Sequence, residues 1–320
     1  GFISLLQEGL PKERREDVVY HRMTLDERNA VNPFDTQLGM RVPTKLHRSF
    51  LINFISLLLV DHIEDRPFEG MASMVSMIVD ETYQRFMDSE QPKLFVPGSD
   101  PVVDEALRRH GFPEMTSAHI SWWHVADFLF ERGAIDVARQ TQCYAMPTIA
   151  DTVALANTHV IKDLFSDVKS PTGEDYVTAY CRLISGVIRN FPTLTSITRL
   201  SFDRSRVIAI DLDSVAKTGS PAADKQTAIM YMLARHVLAR DFFMHAEETE
   251  KMPRMYADFH RARIKEIMEE PKRLVMDEFH RTSKSPAIRD QVLQDMREGR
   301  KWKIHISLAS QSLKDFDQLM

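Results

Sequence analysis

The chain has 320 residues, of which 43% are hydrophobic and 27% are charged, and its net charge is −5. A chain of this length buries a sizeable core and folds as one large or two moderate domains. The acidic balance gives no general attraction to nucleic acid or to an anionic membrane. The longest apolar stretch, Phe50–Val60, is too short to cross a bilayer. Cys143 and Cys181 lie in apolar helical stretches, which predicts free thiols in a reducing compartment.

The amino-terminal part of the chain predicts one helix and one strand. Phe2–Leu10 has the pattern of a short helix, and Val18–Met23 that of a strand. The stretch Val31–Gly39 (VNPFDTQLG) contains Asn-Pro, which is a turn signal, and it ends in a glycine. Asp35 is therefore predicted to stabilise a turn rather than to contact a nucleotide.

A long helical region follows. The apolar periodicity predicts helices over Pro43–Asp65, Met71–Met87, Pro101–His110, Ser121–Arg132, Ile135–Met146, Pro147–Phe165 and Tyr176–Asn190. Trp122 and Trp123 lie in one of these amphipathic helices, which predicts core packing, and a partner-binding patch is the alternative.

The strand pattern resumes at Arg206–Leu212 (RVIAIDL), whose apolar run leads into Asp211 and Asp213. Two further helices are predicted over Ser220–Glu250 and Pro253–Glu270. The region 43–192 is thus a nearly all-helical block between two strand-bearing regions.

The stretch from Arg273 to Gln311 carries the pattern on which a function depends. The apolar run Leu274–Met276 ends in Asp277 and Glu278, a helix is predicted from Ala287 to Arg300, and Lys303–Ala309 reads as a second buried strand ending at Ser310 and Gln311. This order is typical of a βαβ unit with parallel strands. Ligands bind outside the carboxyl ends of such strands, where Asp277, Glu278 and Gln311 are predicted to lie.

These three side chains have the chemistry of a phosphoryl-transfer site. An acid at a strand end, here Asp277, can hold Mg²⁺ through water, and Glu278 beside it can orient or deprotonate an attacking water. Gln311 can position that water or sense a γ-phosphate. The alternative is that Asp277 and Glu278 simply end a strand in solvent.

Basic residues close the helix between the two strands. Arg297, Arg300 and Lys301 can interact with the helix dipole, or an arginine among them can sense phosphate or act on a neighbouring subunit of an oligomer. His280 and His305 flank the sheet edge and are assigned no role.

A phosphate-binding loop is missing from the pattern. The motif GxxxxGK[ST] occurs nowhere, and Gly39–Lys45 (GMRVPTK) lacks the glycine before its lysine and has no apolar strand in front of it. A nucleotide site built only from the residues above is incomplete.

Four segments resemble a known family. RLVMDEFHR and REGRKWKIHISLASQS are similar to the Walker-B, arginine-lysine and glutamine motifs of type IV secretion ATPases of the VirB class. VNPFDTQLG and WWHVADFLFERGAIDVARQTQCYAMPTIAD resemble the type IVB branch, which comprises the DotO (IcmB) ATPases of Dot/Icm systems and the TraU proteins of related conjugative plasmids. The resemblance covers essentially the whole chain, although Ser310-Gln311 stands where the family usually has Thr-Gln.

The resemblance implies an α/β fold with a RecA-like P-loop NTPase core, a mostly parallel sheet and a large all-helical insertion. Residues 1–42 and 201–320 would form the core, and residues 43–200 the insertion. Asp277 would hold Mg²⁺ through water, Glu278 would be the catalytic base and Gln311 the sensor. Arg300 would stabilise charge in the transition state, and Arg297 is the second candidate for that role. ATP and Mg²⁺ are the implied cofactors, and the family's P-loop is expected upstream of Gly1 with further core beyond Met320, so this chain is expected to be an inactive fragment on its own.

The resemblance also implies partners and a location. The full protein is expected to be a homo-hexamer at the cytoplasmic face of the bacterial inner membrane, in contact with inner-membrane secretion subunits and a second, VirB11-like hexameric ATPase. Two alternatives stay open. One is a DNA-translocating motor of the FtsK/HerA kind or a coupling protein, and the other is a non-catalytic docking module.

Overall fold

The computed structural model describes residues 2–113, 119–170, 173–200, 202, 205–317 and 319. Within these residues the fold is α/β: helices dominate, one short strand lies near the amino terminus, and three more lie after residue 206, all paired in parallel. The predicted α/β class is therefore confirmed. No helix in this part of the chain is long and apolar enough to cross a membrane.

The strands form two parallel pairs. β1 (Val18–Arg22) pairs with β2 (Val207–Asp211), and β3 (Lys272–Met276) pairs with β4 (Ile304–Leu308). The predicted strands and their parallel direction are confirmed.

The single, mostly parallel sheet that was expected is not present among the described residues, because no strand of one pair is hydrogen-bonded to a strand of the other. In β3 the side chains alternate: Leu274 and Met276 are buried, whereas Arg273 and Val275 are exposed. The pair thus packs mainly one face against the core, unlike the central strands of a sheet covered on both faces.

The helices connect and cover these strands. In chain order they are α1 (Phe2–Gly9), α2 (Lys45–Leu58), α3 (Met71–Arg85), α4 (Pro101–His110), α5 (Trp122–Glu131), α6 (Ile135–Ala145), α7 (Ile149–Ala156), α8 (His159–Phe165), α9 (Tyr176–Asn190), α10 (Pro221–Ala239), α11 (Arg254–Glu269) and α12 (Pro286–Gly299).

Three predicted helices are shorter than expected. α2 ends at Leu58, and the apolar pattern that predicted a longer helix comes from the buried residues Leu59, Val60 and Ile63 that follow it. The predicted helix 147–165 is divided into α7 and α8 at Asn157 and Thr158. α10 ends at Ala239, and just beyond its end the Arg240 carbonyl accepts a hydrogen bond from Gln37 Nε2 (3.0 Å).

One continuous cluster of buried side chains joins the helical block to both strand pairs. Its members include Met23 after β1, Phe54 in α2, Met230 in α10 and Met276 in β3. Trp123, 1% exposed, lies in this cluster, which confirms the prediction of core tryptophans. The predicted division at residues 42 and 200 stays a prediction.

The stretch 31–41 is irregular and yet buried at every position. Its carbonyl groups accept hydrogen bonds from side chains of distant helices: His47 in α2 bonds Pro33, Tyr83 in α3 bonds Phe34, and His260 in α11 bonds Leu38. Asp35 N donates to the Asn32 carbonyl (3.1 Å), so the turn predicted at Asn-Pro forms. These bonds satisfy buried backbone groups that no regular structure pairs, and they fix α2, α3 and α11 around one segment.

Candidate active site

The carboxyl ends of β3 and β4 remain joined beyond the last strand residues. Ala309 N donates to the Met276 carbonyl (3.0 Å), and Phe279 N donates to the Ala309 carbonyl (2.8 Å). Asp277 and Glu278 lie between these two bonds, directly at the end of β3. We call this end of the β3–β4 pair the carboxyl edge. Tyr231 of α10 secures it further, because its hydroxyl donates to the Asp277 carbonyl (2.7 Å).

Glu278 leaves the strand in a left-handed backbone conformation, with φ 54° and ψ 37°. A residue with a Cβ adopts this region at a cost of about 1–2 kcal/mol. Asp277 Oδ1 accepts the Glu278 backbone N–H (2.9 Å), which helps to hold the turn. Strain of this kind is found at functional sites where the surroundings fix the conformation.

Side-chain nitrogen atoms of three residues approach one oxygen of the Glu278 carboxylate. Gln311 Nε2 lies 3.4 Å from Oε2, at the upper limit for a hydrogen bond. His280 Nε2 lies 3.5 Å and Arg281 Nε 3.6 Å from the same oxygen. Among the described residues no protein group pairs with Oε1, so that oxygen is left for solvent or a ligand.

The structure brings Asp277, Glu278 and Gln311 to one edge, where sequence reasoning placed them. It adds His280 and Arg281, which that reasoning did not assign. The signal for them was present, since both lie within three residues of Glu278 in the segment DEFHR. Only the left-handed turn at Glu278 reveals that they face back towards its carboxylate.

Arg297 and Arg300 lie at the other end of the strand pair. α12 runs back from the carboxyl edge, and Arg300 follows it, three residues before Lys303, whose carbonyl accepts the Lys272 N–H at the start of β3 (3.0 Å). A five-residue strand spans about 13 Å between its first and last Cα atoms. Both arginines are exposed, and within one copy the structure does not bring them to Glu278.

The end of β2 has acidic residues with a different environment. Asp211 accepts a hydrogen bond from the Tyr20 hydroxyl, which lowers the pKa of Asp211 and raises that of Tyr20. Asp211 Oδ1 also accepts the Asp213 backbone N–H (2.9 Å). These contacts give Asp211 a structural role at the end of the β1–β2 pair.

Tyr231 has a markedly perturbed hydroxyl. Burial is the main cause that raises the pKa of the Tyr231 hydroxyl to about 12. Among the nearby charges, Arg281 lowers this pKa, whereas Asp277 and Glu278 raise it. The hydroxyl is therefore a hydrogen-bond donor at physiological pH, as its bond to the Asp277 carbonyl requires.

The carboxyl edge fits part of a Mg²⁺-nucleotide site. No group of three or more His, Cys, Asp or Glu side chains in the described part of the chain could hold a metal alone. Mg²⁺ usually needs only one or two carboxylates together with substrate phosphates and water. Asp277, with Oδ2 unpaired by any described protein group, supplies such a carboxylate, whereas no glycine-rich phosphate loop occurs in the 320 residues. The residues thus fit the metal and water side of the site, without the phosphate cradle.

Comparisons with known proteins give one structural likeness. No known protein family and no curated protein sequence matches the chain. Among solved structures, VirB4 of Thermoanaerobacter pseudethanolicus is similar, with a TM-score of 0.47 and 15% sequence identity over 93% of this chain and 58% of that one. The chain therefore spans a little over half the length of that protein. A TM-score below 0.5 is a weak likeness, so the proposal below rests on the residues of the carboxyl edge.

Proposed function

We propose that the carboxyl edge of β3 and β4 is the water-activating side of a Mg²⁺-dependent ATPase site. The observation that carries the proposal is the contact between Glu278 Oε2 and Gln311 Nε2 (3.4 Å), which joins the ends of two parallel strands directly beside Asp277. An acid pair followed by a neighbouring polar amide is the arrangement that phosphoryl transfer uses to place metal and water.

Each residue has a distinct role in this proposal. Asp277 binds Mg²⁺ through water with its unpaired oxygen, and Mg²⁺ neutralises charge on the phosphates when MgATP is bound. Glu278 accepts a hydrogen bond from the attacking water through Oε1 and takes its proton. Gln311 fixes the Glu278 carboxylate and senses the γ-phosphate. Arg300, or Arg297 one turn earlier, acts at the site of an adjacent copy, because both lie at the far end of the strand pair.

The missing phosphate cradle limits what these residues do alone. Backbone N–H groups and a lysine of a P-loop bind phosphates in ATPases of this kind, and the chain has no such sequence. A protein consisting only of these 320 residues is therefore proposed to be inactive. The full proposal is a RecA-like core formed by residues 1–42 and 201–320, with residues 43–200 as a helical insertion.

The biological assignment rests on the motif resemblance described above. We propose that the natural protein is a homo-hexameric ATPase of a type IV secretion system of the Dot/Icm kind. It would act at the cytoplasmic face of the inner membrane, beside inner-membrane subunits and a VirB11-like ATPase, and use MgATP to power assembly or export.

A docking role is the second candidate, and one surface favours it. Val160, Leu164 and Val168 recur at four-residue intervals on and just after α8, and all three are exposed, at 49%, 58% and 39%. Where such side chains form one contiguous apolar patch, the patch marks a protein–protein interaction site. If docking is the whole function, Glu278→Gln in the natural protein leaves secretion unchanged.

ATP turnover by the natural protein that contains this sequence tests the ATPase proposal. Glu278→Gln is expected to reduce kcat by at least about a hundredfold while ATP binding persists, because it removes a base and leaves the fold intact. Glu250→Gln changes an exposed acid that lies outside β3, β4 and the segments that follow them, and it is the matched control. Equal turnover by wild type and Glu278→Gln would overturn the proposal.

A further inference from the structure

Arg281 connects two parts of the molecule that no strand pairing joins. Its Nε lies 3.6 Å from Glu278 Oε2 at the carboxyl edge. Its Nη1 donates to the Ala216 carbonyl (2.9 Å), in the segment that follows β2. The side chain is 28% exposed, so most of it is removed from solvent. One guanidinium thus touches both the proposed base and the turn after the other strand pair.

The turn at Ala216 is buried and held by several hydrogen bonds. Val215 N and Ala216 N both donate to the Leu212 carbonyl, at 2.9 and 2.7 Å. Val215 and Ala216 are also buried, at 2% and 6% exposure. Leu212 follows β2 directly, and Ser214 Oγ donates to the Met23 carbonyl just after β1 (2.5 Å). The turn 212–216 is therefore fixed to the ends of both strands of the β1–β2 pair.

We propose that Arg281 is a positioning residue that sets the Glu278 carboxylate and ties its position to the turn 212–216. The proposal rests on the function proposed above, in which Glu278 is the base. Arg281 does not touch substrate in this proposal, and it acts through Glu278.

The geometry of arginine explains why this residue type is needed. A guanidinium presents Nε and Nη donors in one rigid plane, so it can hold a carboxylate on one side and a carbonyl on the other. A lysine ammonium is a single point charge on a flexible stem and cannot fix both at once. The left-handed conformation of Glu278 makes such fixation necessary, because the strained turn has no helix or strand to hold the side chain.

The same arrangement leaves the catalytic oxygen free. Arg281, His280 and Gln311 all approach Oε2, and Oε1 has no partner among the described protein groups. A carboxylate anchored through one oxygen presents the other in a fixed direction. Loss of Arg281 is therefore expected to misdirect Oε1 rather than to weaken nucleotide binding.

The test compares Arg281→Ala and Arg281→Lys with Arg289→Ala in the natural protein. Arg289 is a matched control, because its guanidinium also donates to a nearby backbone carbonyl, that of Ser283 (2.8 Å), without any contact to Glu278. Arg281→Ala is expected to lower kcat at least about tenfold with KM within twofold of wild type, which is the pattern of a lost transition-state interaction. Arg281→Lys is expected to recover less than half of the loss, and Arg289→Ala to retain wild-type kcat.

Hydrogen–deuterium exchange of the Val215 and Ala216 amides supplies a readout that needs no catalysis. Exchange is expected to rise at least about fivefold in Arg281→Ala and to rise in Glu278→Gln, since loss of the carboxylate charge loosens Arg281. Arg289→Ala is expected to leave it unchanged.

The two readouts separate failure of this inference from failure of the proposed function. Equal kcat and equal exchange in Arg281→Ala and Arg289→Ala would overturn the inference, and so would a rise in KM with kcat unchanged, which would make Arg281 a nucleotide ligand. If the wild-type protein hydrolyses no ATP, the proposed function fails. Hydrogen–deuterium exchange then decides alone. Faster exchange of the Val215 and Ala216 amides in both Arg281→Ala and Glu278→Gln supports the connection between Glu278 and the turn 212–216, and unchanged exchange refutes it.

Discussion

Gly39 is expected to be the position least tolerant of a single added methyl group. It lies in the buried irregular stretch 31–41 with φ +81°, and a Cβ there would sit 2.2 Å from Tyr256 Cγ and 2.5 Å from Cδ1 and Cδ2. The Tyr256 ring cannot move aside easily. It is 0% exposed, its hydroxyl donates to Asp127 (2.8 Å), and Phe130 packs on it with ring centroids 4.2 Å apart.

The cost of Gly39→Ala follows from two separate terms. The left-handed conformation costs an L-residue about 1–2 kcal/mol. Overpacking against a fixed ring adds about 1–3 kcal/mol. The free energy of unfolding should therefore fall by about 2–5 kcal/mol in total.

Gly133→Ala measures the backbone term alone, so the difference between the two variants gives the packing term. Gly133 has nearly the same φ, +78°, and an added Cβ there meets no atom within 4 Å. Urea unfolding followed by circular dichroism, on wild type and both variants, gives the two losses in free energy. Gly39→Ala should lose at least about 1 kcal/mol more than Gly133→Ala, the lower bound for overpacking. Equal losses would refute the packing around Tyr256 and, with it, the docking of α11 on the buried stretch.

Three further predictions concern charge. Burial lowers the pKa of His47 to about 4, so between pH 6.5 and 4 the unfolded chain binds a proton at this residue that the folded chain does not. His47 should therefore contribute about 2.5 kcal/mol to the loss of stability from pH 7.5 to 4.5, and His47→Gln should reduce the total loss by about that amount in urea titrations at each pH. Arg41→Met should cost about 2–4 kcal/mol in thermal unfolding, because buried Arg41 pairs with Asp127 and lies 4.4 Å over the Trp123 ring. The control Arg48→Met removes an ion pair to Asp80 from a side chain that is only partly buried, and should cost under about 1 kcal/mol; equal costs would contradict this. If Arg300 acts between copies, mixing inactive Glu278→Gln and Arg300→Ala proteins should restore ATP turnover above either alone, and no gain on mixing would count against a trans role.

The carboxyl edge was predictable from sequence because two local signals agreed. Leu274–Met276 gave an apolar run ending in acids, and Lys303–Ala309 gave a second run ending in Ser310 and Gln311. Parallel strands place such ends together, so the approach of Glu278 to Gln311 needed no knowledge of distant contacts. The catalytic roles of these residues stay predictions.

Other features depend on contacts that a local pattern does not contain. The turn at Glu278 that directs Arg281 towards Ala216 depends on bonds to Asp277 and to Ala309 on the next strand. The Arg240 carbonyl just beyond α10 accepts a hydrogen bond from Gln37, about two hundred residues away, which no local pattern contains. The burial of 31–41 likewise depends on side-chain hydrogen-bond donors from several helices. The segment VNPFDTQLG has no helical or strand periodicity from which this burial could be predicted.

The sequence pattern also did not predict that the strands form two separate pairs. Apolar runs indicate which segments form strands, but they do not indicate which strands pair with each other. β2 and β3 are connected instead through side chains, with Arg281 reaching the turn after β2.

The most direct test of the central claim is a double-variant cycle on ATP turnover by the natural protein. Glu278 and Gln311 are proposed to act as one unit through their contact at the carboxyl edge. The account predicts that the double variant Glu278→Gln/Gln311→Ala turns over ATP no more than about threefold more slowly than Glu278→Gln alone. The reason is that the effects of substitutions on residues that act as one unit do not add. Losses that multiply, or a double variant as active as wild type, would contradict it.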